Sequence, residues 1–189
     1  GPASLLTRAA MLIVIAASTG IVGQAGAQLR VDITQGNIQP MPIAIPPFVG
    51  AAGTVDELSQ NVAQVLTADL KRSGLFVPVD PAAFIEPVVP PTATPNFVNW
   101  RPTNAQALVS GSVTTTGDGR IMAEYRLWDI FSEQYLVGKQ FFASPDNWRR
   151  LAHIIADSVY ERLTGEKGYF DSRVAFVDET GGKAQRVKR

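Results

Sequence analysis

The side chains able to do covalent or acid–base chemistry are few and poorly grouped. The sequence holds one histidine, His153, and no cysteine. Without cysteine there is no disulfide, thiolate nucleophile, iron–sulfur cluster or cysteine-ligated zinc. A histidine-based zinc site is equally poor, because catalytic zinc generally takes three protein ligands. His153 falls on a periodic stretch about 140° around from Trp148 at ~100° per residue, which predicts that it faces water. Asp157 follows one helical turn later, so a weak solvated pair is the expected role.

The other groupings dissolve in the same way. Ser110-Gly111-Ser112 lacks the G-x-S-x-G pattern of a nucleophile elbow, and Gly165-Glu166-Lys167-Gly168 lacks the approach and hydroxyl of a phosphate loop. Glu124, Asp129 and Glu133 come nearest to the paired carboxylates of a glycosidase. Acids spread around a hairpin are more often solubilising surface. Asp118 sits in a Gly117-Asp118-Gly119 turn with no further acids to suggest calcium. Trp100, Trp128 and Trp148 belong to separate segments and form no platform for single-stranded nucleic acid. No catalytic residue, cofactor or metal is expected, and the chain reads as a protein that binds rather than catalyses.

Composition agrees with a binding component. The 189 residues, 46% hydrophobic and 18% charged, suit one domain of about 100 to 150 residues plus further segments. Seventeen Lys and Arg balance seventeen Asp and Glu, so no overall charge draws the chain to nucleic acid or an anionic membrane. Near the start, Arg8 precedes an apolar run from Ala9 to Val22, and Ala25-Gly26-Ala27 supplies small residues. That is the order of a signal peptide, with residues 1–27 removed on export and Gln28 as the mature N-terminus. The run is shorter than the ~20 apolar residues of a membrane span.

The elements after Gln28 can be read from their periods. Leu29, Val31 and Ile33 alternate with Arg30, Asp32 and Thr34, which predicts a strand with one apolar face. Ile43 to Ile45, flanked by Pro40, Pro42, Pro46 and Pro47, is expected as a strand at or near a sheet edge. Thr54 and Glu57 form a T-x-x-E capping box, opening a helix that buries Val55, Leu58, Val62, Val65, Leu66 and Leu70 and stops at Ser73-Gly74. Leu75 to Val79 follows as a short strand. The proline-rich stretch from Ala82 to Pro102 reads as a surface excursion pinned by Phe84, Phe97 and Trp100. Ala107–Thr115, Ile121–Trp128 and Gln134–Phe142 make a meander. A second helix, capped by Ser144 with Pro145 first, buries Trp148, Leu151, Ile155, Val159 and Leu163 before Gly165. The fold expected is α/β, of α+β-like arrangement: two amphipathic helices on a mixed sheet of roughly five strands. Residues 169–189 read as the opening strands of an incomplete second domain, and the alternation of Arg173 to Asp178 supports that.

Blocks of this order and spacing resemble the TolB family, the periplasmic component of the Tol-Pal system. They are QLRVDITQG, MPIAIPPF, LTADLKRSGLFVPVD, SGSVTTTGDGRIMAEYRLWD and VYERLTGEKGYFDSRVAFV. The most specific are Ala68 to Phe76, Glu161 to Gly168 and the R-V-A-F-V that follows. The resemblance implies an N-terminal α/β domain at 40–168 and the first strands of a β-propeller at 169–189. It implies a non-enzymatic scaffold linking the inner-membrane protein TolA to the outer membrane and Pal, serving envelope integrity and constriction during cell division. Pal contacts the propeller in this family, an activity expected to be lost here. The TolA C-terminal domain is contacted by the mature N-terminus, here 28–39, with the core Gln28, Leu29, Arg30, Val31, Asp32, Ile33, Thr34, Gln35 and Gly36. After Gly36, Asn37-Ile38-Gln39 departs from the family by being less acidic. An alternating strand suits β-augmentation of a partner sheet; the bland alternative is an edge strand of its own domain. A stand-alone periplasmic α/β binding module of a lipoprotein-associated assembly is the alternative function.

Overall fold

The computed structural model describes residues 28–34 and 36–172. Five strands form one sheet in the order β2-β1-β3-β4-β5: β1 Met41–Ala44, β2 Phe76–Pro78, β3 Ala107–Thr115, β4 Ile121–Asp129 and β5 Gln134–Ala143. β1 pairs in parallel with both β2 and β3, while β3, β4 and β5 are antiparallel. The sheet is therefore mixed, as the sequence predicts. Helices α1, Glu57–Arg72, and α3, Trp148–Thr164, supply the helical layer.

β1 lies one strand in from the β2 edge, near the sheet edge as expected but paired on both sides. Pro42 is tolerated because β1 is only four residues long and its missing amide removes a single ladder bond. Its carbonyl still accepts from the Gln106 amide at 2.9 Å.

Helix α1 starts two residues later than the Thr54 capping box predicts. The Thr54 carbonyl accepts from the Gly50 amide at 2.7 Å, closing a turn that also joins the Gly53 amide to the Gly50 carbonyl. That turn keeps Thr54 out of cap geometry. Asp56 caps instead: its carboxylate accepts from the Ser59 amide at 2.8 Å, and the Ser59 hydroxyl accepts from the Asp56 amide at 3.0 Å. Val55 consequently stands outside the helix and is 38% exposed. Helix α3 is likewise entered differently. Pro145–Asn147 forms a 3₁₀ turn that runs directly into it, and the Ser144 hydroxyl accepts from the Asn147 side chain rather than capping a backbone amide. The end at Gly165, at φ +78°, is the left-handed stop that favours glycine.

Between helices and sheet lies the main core, with Val62, Leu66 and Leu70 of α1 and Leu151, Ile155, Val159 and Leu163 of α3 buried on Ile43, Val109, Tyr125 and Leu127. Gly111 in β3 is part of this packing. A Cβ there would stand 2.4 Å from a Phe48 ring carbon, so glycine makes the notch that ring fills.

The opposite face of the sheet holds a second, smaller core of Ala44, Val89, Phe97, Trp100, Ala105, Leu108, Trp128 and Ile130. Residues 82–102 run over the sheet pinned by the expected aromatics, Phe97 and Trp100 buried and Phe84 packed against them. The segment has only short turns and the one-turn helix α2, Phe97–Trp100, consistent with its prolines. It nevertheless buries Trp100 completely. The indole N–H donates to the Glu86 carboxylate at 2.8 Å, and the ring sits 5.1 Å from Phe84. The segment is a structural cover for the sheet.

Candidate partner-binding segment at the N-terminus

Among the described residues, Gln28 to Thr34 and Gly36 form no strand. Leu29, Val31 and Ile33 turn inward as their alternation predicts, Val31 to 5% exposure, while Arg30, Asp32 and Thr34 face out. The surface they meet, however, is the end of α3. The Val31 amide donates to the Leu163 carbonyl at 2.8 Å, one of the last helical carbonyls, which have no partner within the helix. An extended chain lying on any surface has period two, so the pattern survives without a neighbouring strand. That is the correction both to the predicted strand and to the edge-strand alternative.

The remaining contacts in this segment are side-chain or local. Arg30 lays its guanidinium against Gly165, with Nη1 3.1 Å from where a Cβ would stand. A cation at a helix C-terminus is favoured by the helix dipole. Oriented by its donors, the Gln28 side-chain oxygen accepts from Arg162 at 3.1 and 3.2 Å. The Asp32 carboxylate accepts from the Thr34 hydroxyl at 2.7 Å and its amide at 3.0 Å; the hydroxyl first and the amide second hold its pKa below the usual carboxylate value. This turns the chain at Thr34. Gln35 lies outside the described residues, and Gly36 is exposed without regular structure. A shallow cavity of about 290 Å³ runs beside Arg30–Thr34 to Thr164. Among the described residues, one backbone–backbone bond joins Gln28–Gly36 to the rest of the domain.

The receiving half of this site, Arg162 to Gly165, was not singled out by sequence reasoning. The signal was present as the Gly165 stop, which marks a helix end with free carbonyls.

The residues considered for catalysis are drawn apart. His153 does not pair with Asp157: its Nδ1 lies 2.5 Å from the Asp69 carboxylate of α1, which also accepts from Arg72 at 2.6 Å and is 2% exposed. The helical angle places His153 sideways, toward α1. Asp157 instead accepts the Phe170 and Asp171 amides at 2.7 and 3.1 Å. Asp129 accepts the Phe131 and Ser132 amides, Glu133 pairs with Arg101, and Glu124 with Arg126, so the three acids work separately. Among the described residues no group of three His, Cys, Asp or Glu could hold a metal, and no helix is long and apolar enough to cross a membrane.

The predicted signal peptide, 1–27, lies outside the described residues, as do 173–189 of the predicted propeller strands. Residues 169–172 form a turn.

Residues 29–136 match the family described as TolB amino-terminal domain. Among solved structures, TolB from Acinetobacter baumannii superposes with a TM-score of 0.60 and 26% identity over 76% of this chain and 33% of that one. The chain thus spans about a third of the length of that relative. The PelC dodecamer from Paraburkholderia phytofirmans matches at TM-score 0.43 and 14% identity, over 66% of this chain and 87% of that chain. The LpoB C-terminal domain from Escherichia coli matches at TM-score 0.43 and 10% identity, over 58% and 87%.

Proposed function

The chain belongs to the TolB amino-terminal domain family, whose setting is the Tol-Pal system of the periplasm, and on that premise we propose that it is a non-enzymatic envelope scaffold. Its mature N-terminal segment, Gln28 to Gln39, binds the TolA C-terminal domain. Coupling to Pal, and with it the contribution to envelope integrity and constriction at division, belongs to the full-length architecture of the family.

The observation that carries the reading is the mismatch between side chains and backbone in Gln28–Gly36. Its apolar side chains are placed on one side, yet among the described residues a single backbone bond ties it to its own domain. Backbone groups left to water at little cost are available for a partner's sheet edge, where each bond adds net affinity and Leu29, Val31 and Ile33 fill pockets. Docked and partner-bound states exclude one another, because the Val31 amide given to Leu163 must be released before it can join another ladder.

The test is binding of an isolated TolA C-terminal domain by isothermal titration calorimetry, to the chain begun at Gln28 and to one begun at Pro40. Binding is expected only with Gln28. Equal affinity for both chains would remove the site from this segment.

A further inference from the structure

Gln28 is exposed, and its side chain meets the guanidinium of Arg162 in the last turn of α3. The amide oxygen accepts from Arg162 Nη1 at 3.2 Å and from Nη2 at 3.1 Å. Arg162 is half-buried, and among the described residues no carboxylate pairs with it. Both terminal nitrogens are thus given to an uncharged oxygen, although a guanidinium fork suits an oxygen that bears negative charge. A second guanidinium, that of Arg30, lies against Gly165 at the same helix end.

Removal of residues 1–27 adds a third positive charge here, the α-ammonium of Gln28. Like charges nearby disfavour the charged form of an amine. An ordinary α-amino group, with a pKa of about 7.7–8.0, is already partly uncharged near neutral pH. The uncharged amine is a nucleophile, and attack on the carbonyl carbon of its own side chain closes a lactam ring.

We propose that Gln28 is a modification site, which cyclises to pyroglutamate once the bond to Ala27 is cut, with Arg162 stabilising the reacting oxygen. The α-nitrogen attacks Cδ, charge gathers on the amide oxygen, and a proton passes from the α-nitrogen to Nε2. The Cδ–Nε2 bond then breaks and ammonia leaves, so no oxidant or second reactant is consumed. The oxygen that gains charge is the one Arg162 already touches. A donor in place before the reaction stabilises the charged intermediate more than the neutral amide. The product keeps that oxygen as the lactam carbonyl, so the contact with Arg162 outlasts the reaction. The third positive charge is gone, and the segment docks as a neutral end beside two guanidinium groups. An aminopeptidase needs a free α-amine, so the cyclised end also protects the partner-binding residues that follow from trimming. The inference rests on Gln28 as the mature N-terminus, and not on which partner the segment binds.

The experiment has two arms, both read by mass spectrometry of the intact chain and of its N-terminal peptide. In the first, the 189-residue precursor is exported from bacterial cells. The recovered chain is expected to begin at residue 28 with its mass lower by one ammonia than residues 28–189 require. An unmodified Gln28 overturns the cyclisation and leaves the cut standing, whereas a chain that begins elsewhere overturns both. In the second arm, a site-specific protease exposes Gln28 in vitro and ring closure is followed in time at neutral pH. The folded chain is expected to cyclise about tenfold faster than a synthetic peptide of residues 28–39 in the same buffer, where Arg162 is missing. Arg162→Gln should slow the folded chain to about the rate of the peptide, and Arg162→Lys should recover part of the loss. The peptide comparison needs no variant, so a folding defect in either variant leaves it intact. Equal rates for the folded chain and the peptide, or a slower rate in the folded chain, would overturn the role of Arg162.

Discussion

The two faces of the sheet are covered by different means. One carries α1 and α3, whose apolar residues recur at helical spacing and interlock with the inward residues of every strand. The other carries an irregular chain from Pro81 to Thr103 with no element longer than one helical turn. Yet both faces reach complete burial: Leu66 and Ile155 on the first, Trp100 and Ile130 on the second, are all at 0%. Regular secondary structure is thus not what makes a core. A large aromatic with a satisfied polar handle does the same from an irregular segment, provided its backbone has somewhere to turn.

If the two covers are equal parts of one cooperative unit, truncating either should cost alike. Trp100→Ala should remove about 3–5 kcal/mol and Ile155→Ala about 2–5 kcal/mol, measured by urea denaturation. Both transitions should stay single, with a shared midpoint by tryptophan fluorescence and circular dichroism. A cost below about 1 kcal/mol for Trp100→Ala, or a separate early transition, would make the irregular face an appendage.

The faces meet at β3, where Gly111 admits Phe48 on the helical side. Gly111→Ala should cost about 1–3 kcal/mol by overpacking. Adding Phe48→Ala to it should cost less than the sum of the two single changes, since the clash disappears with the ring. Strict additivity in that cycle would show that the notch is not filled as described.

A third contrast lies in polar groups. On the helical side Tyr125 is buried with its hydroxyl bonded to Ser158, and burial pushes its pKa up to about 12. A phenol whose folded pKa exceeds its unfolded value of about 10 contributes stability in full below pH ~10 and loses it as pH rises toward 12. The wild type should therefore lose on the order of 2 kcal/mol over that window beyond the loss shown by Tyr125→Phe. Parallel pH profiles for the two proteins would contradict it.

How much of this was legible follows from the nature of each signal. β3 begins and ends where its alternation does, and the pattern also placed β4 and β5 to within a residue. Period two in Leu29–Ile33 correctly named the buried side chains but not the partner, because a helix end and a strand edge impose the same alternation. Trp100 was read as a pin from its residue type and not from any period, which left its partner Glu86 unread. His153 was misread because its partner, Asp69, lies 84 residues away, whereas Asp157 lies one turn away and is occupied by loop amides. Local spacing names neighbours within an element; it does not name those that the fold brings in.

The start of α1 gives the smallest effect and the most direct comparison of local sequence with its context. Thr54 with Glu57 and Asp56 with Ser59 are both competent capping pairs, offset by two residues. The first is preempted by the Gly50–Thr54 turn, which takes the Thr54 carbonyl and leaves its hydroxyl too early to meet the first free helical amides. Asp56→Ala should cost about 1 kcal/mol, and Thr54→Ala less than about 0.5 kcal/mol, by thermal denaturation near neutral pH. The reverse ranking would mean that the helix extends a turn further toward Thr54 in solution. Since Asp56 also lies against Gly50, that rearrangement would open the loop over Phe48, and Gly111→Ala would then cost less than the packing at β3 demands.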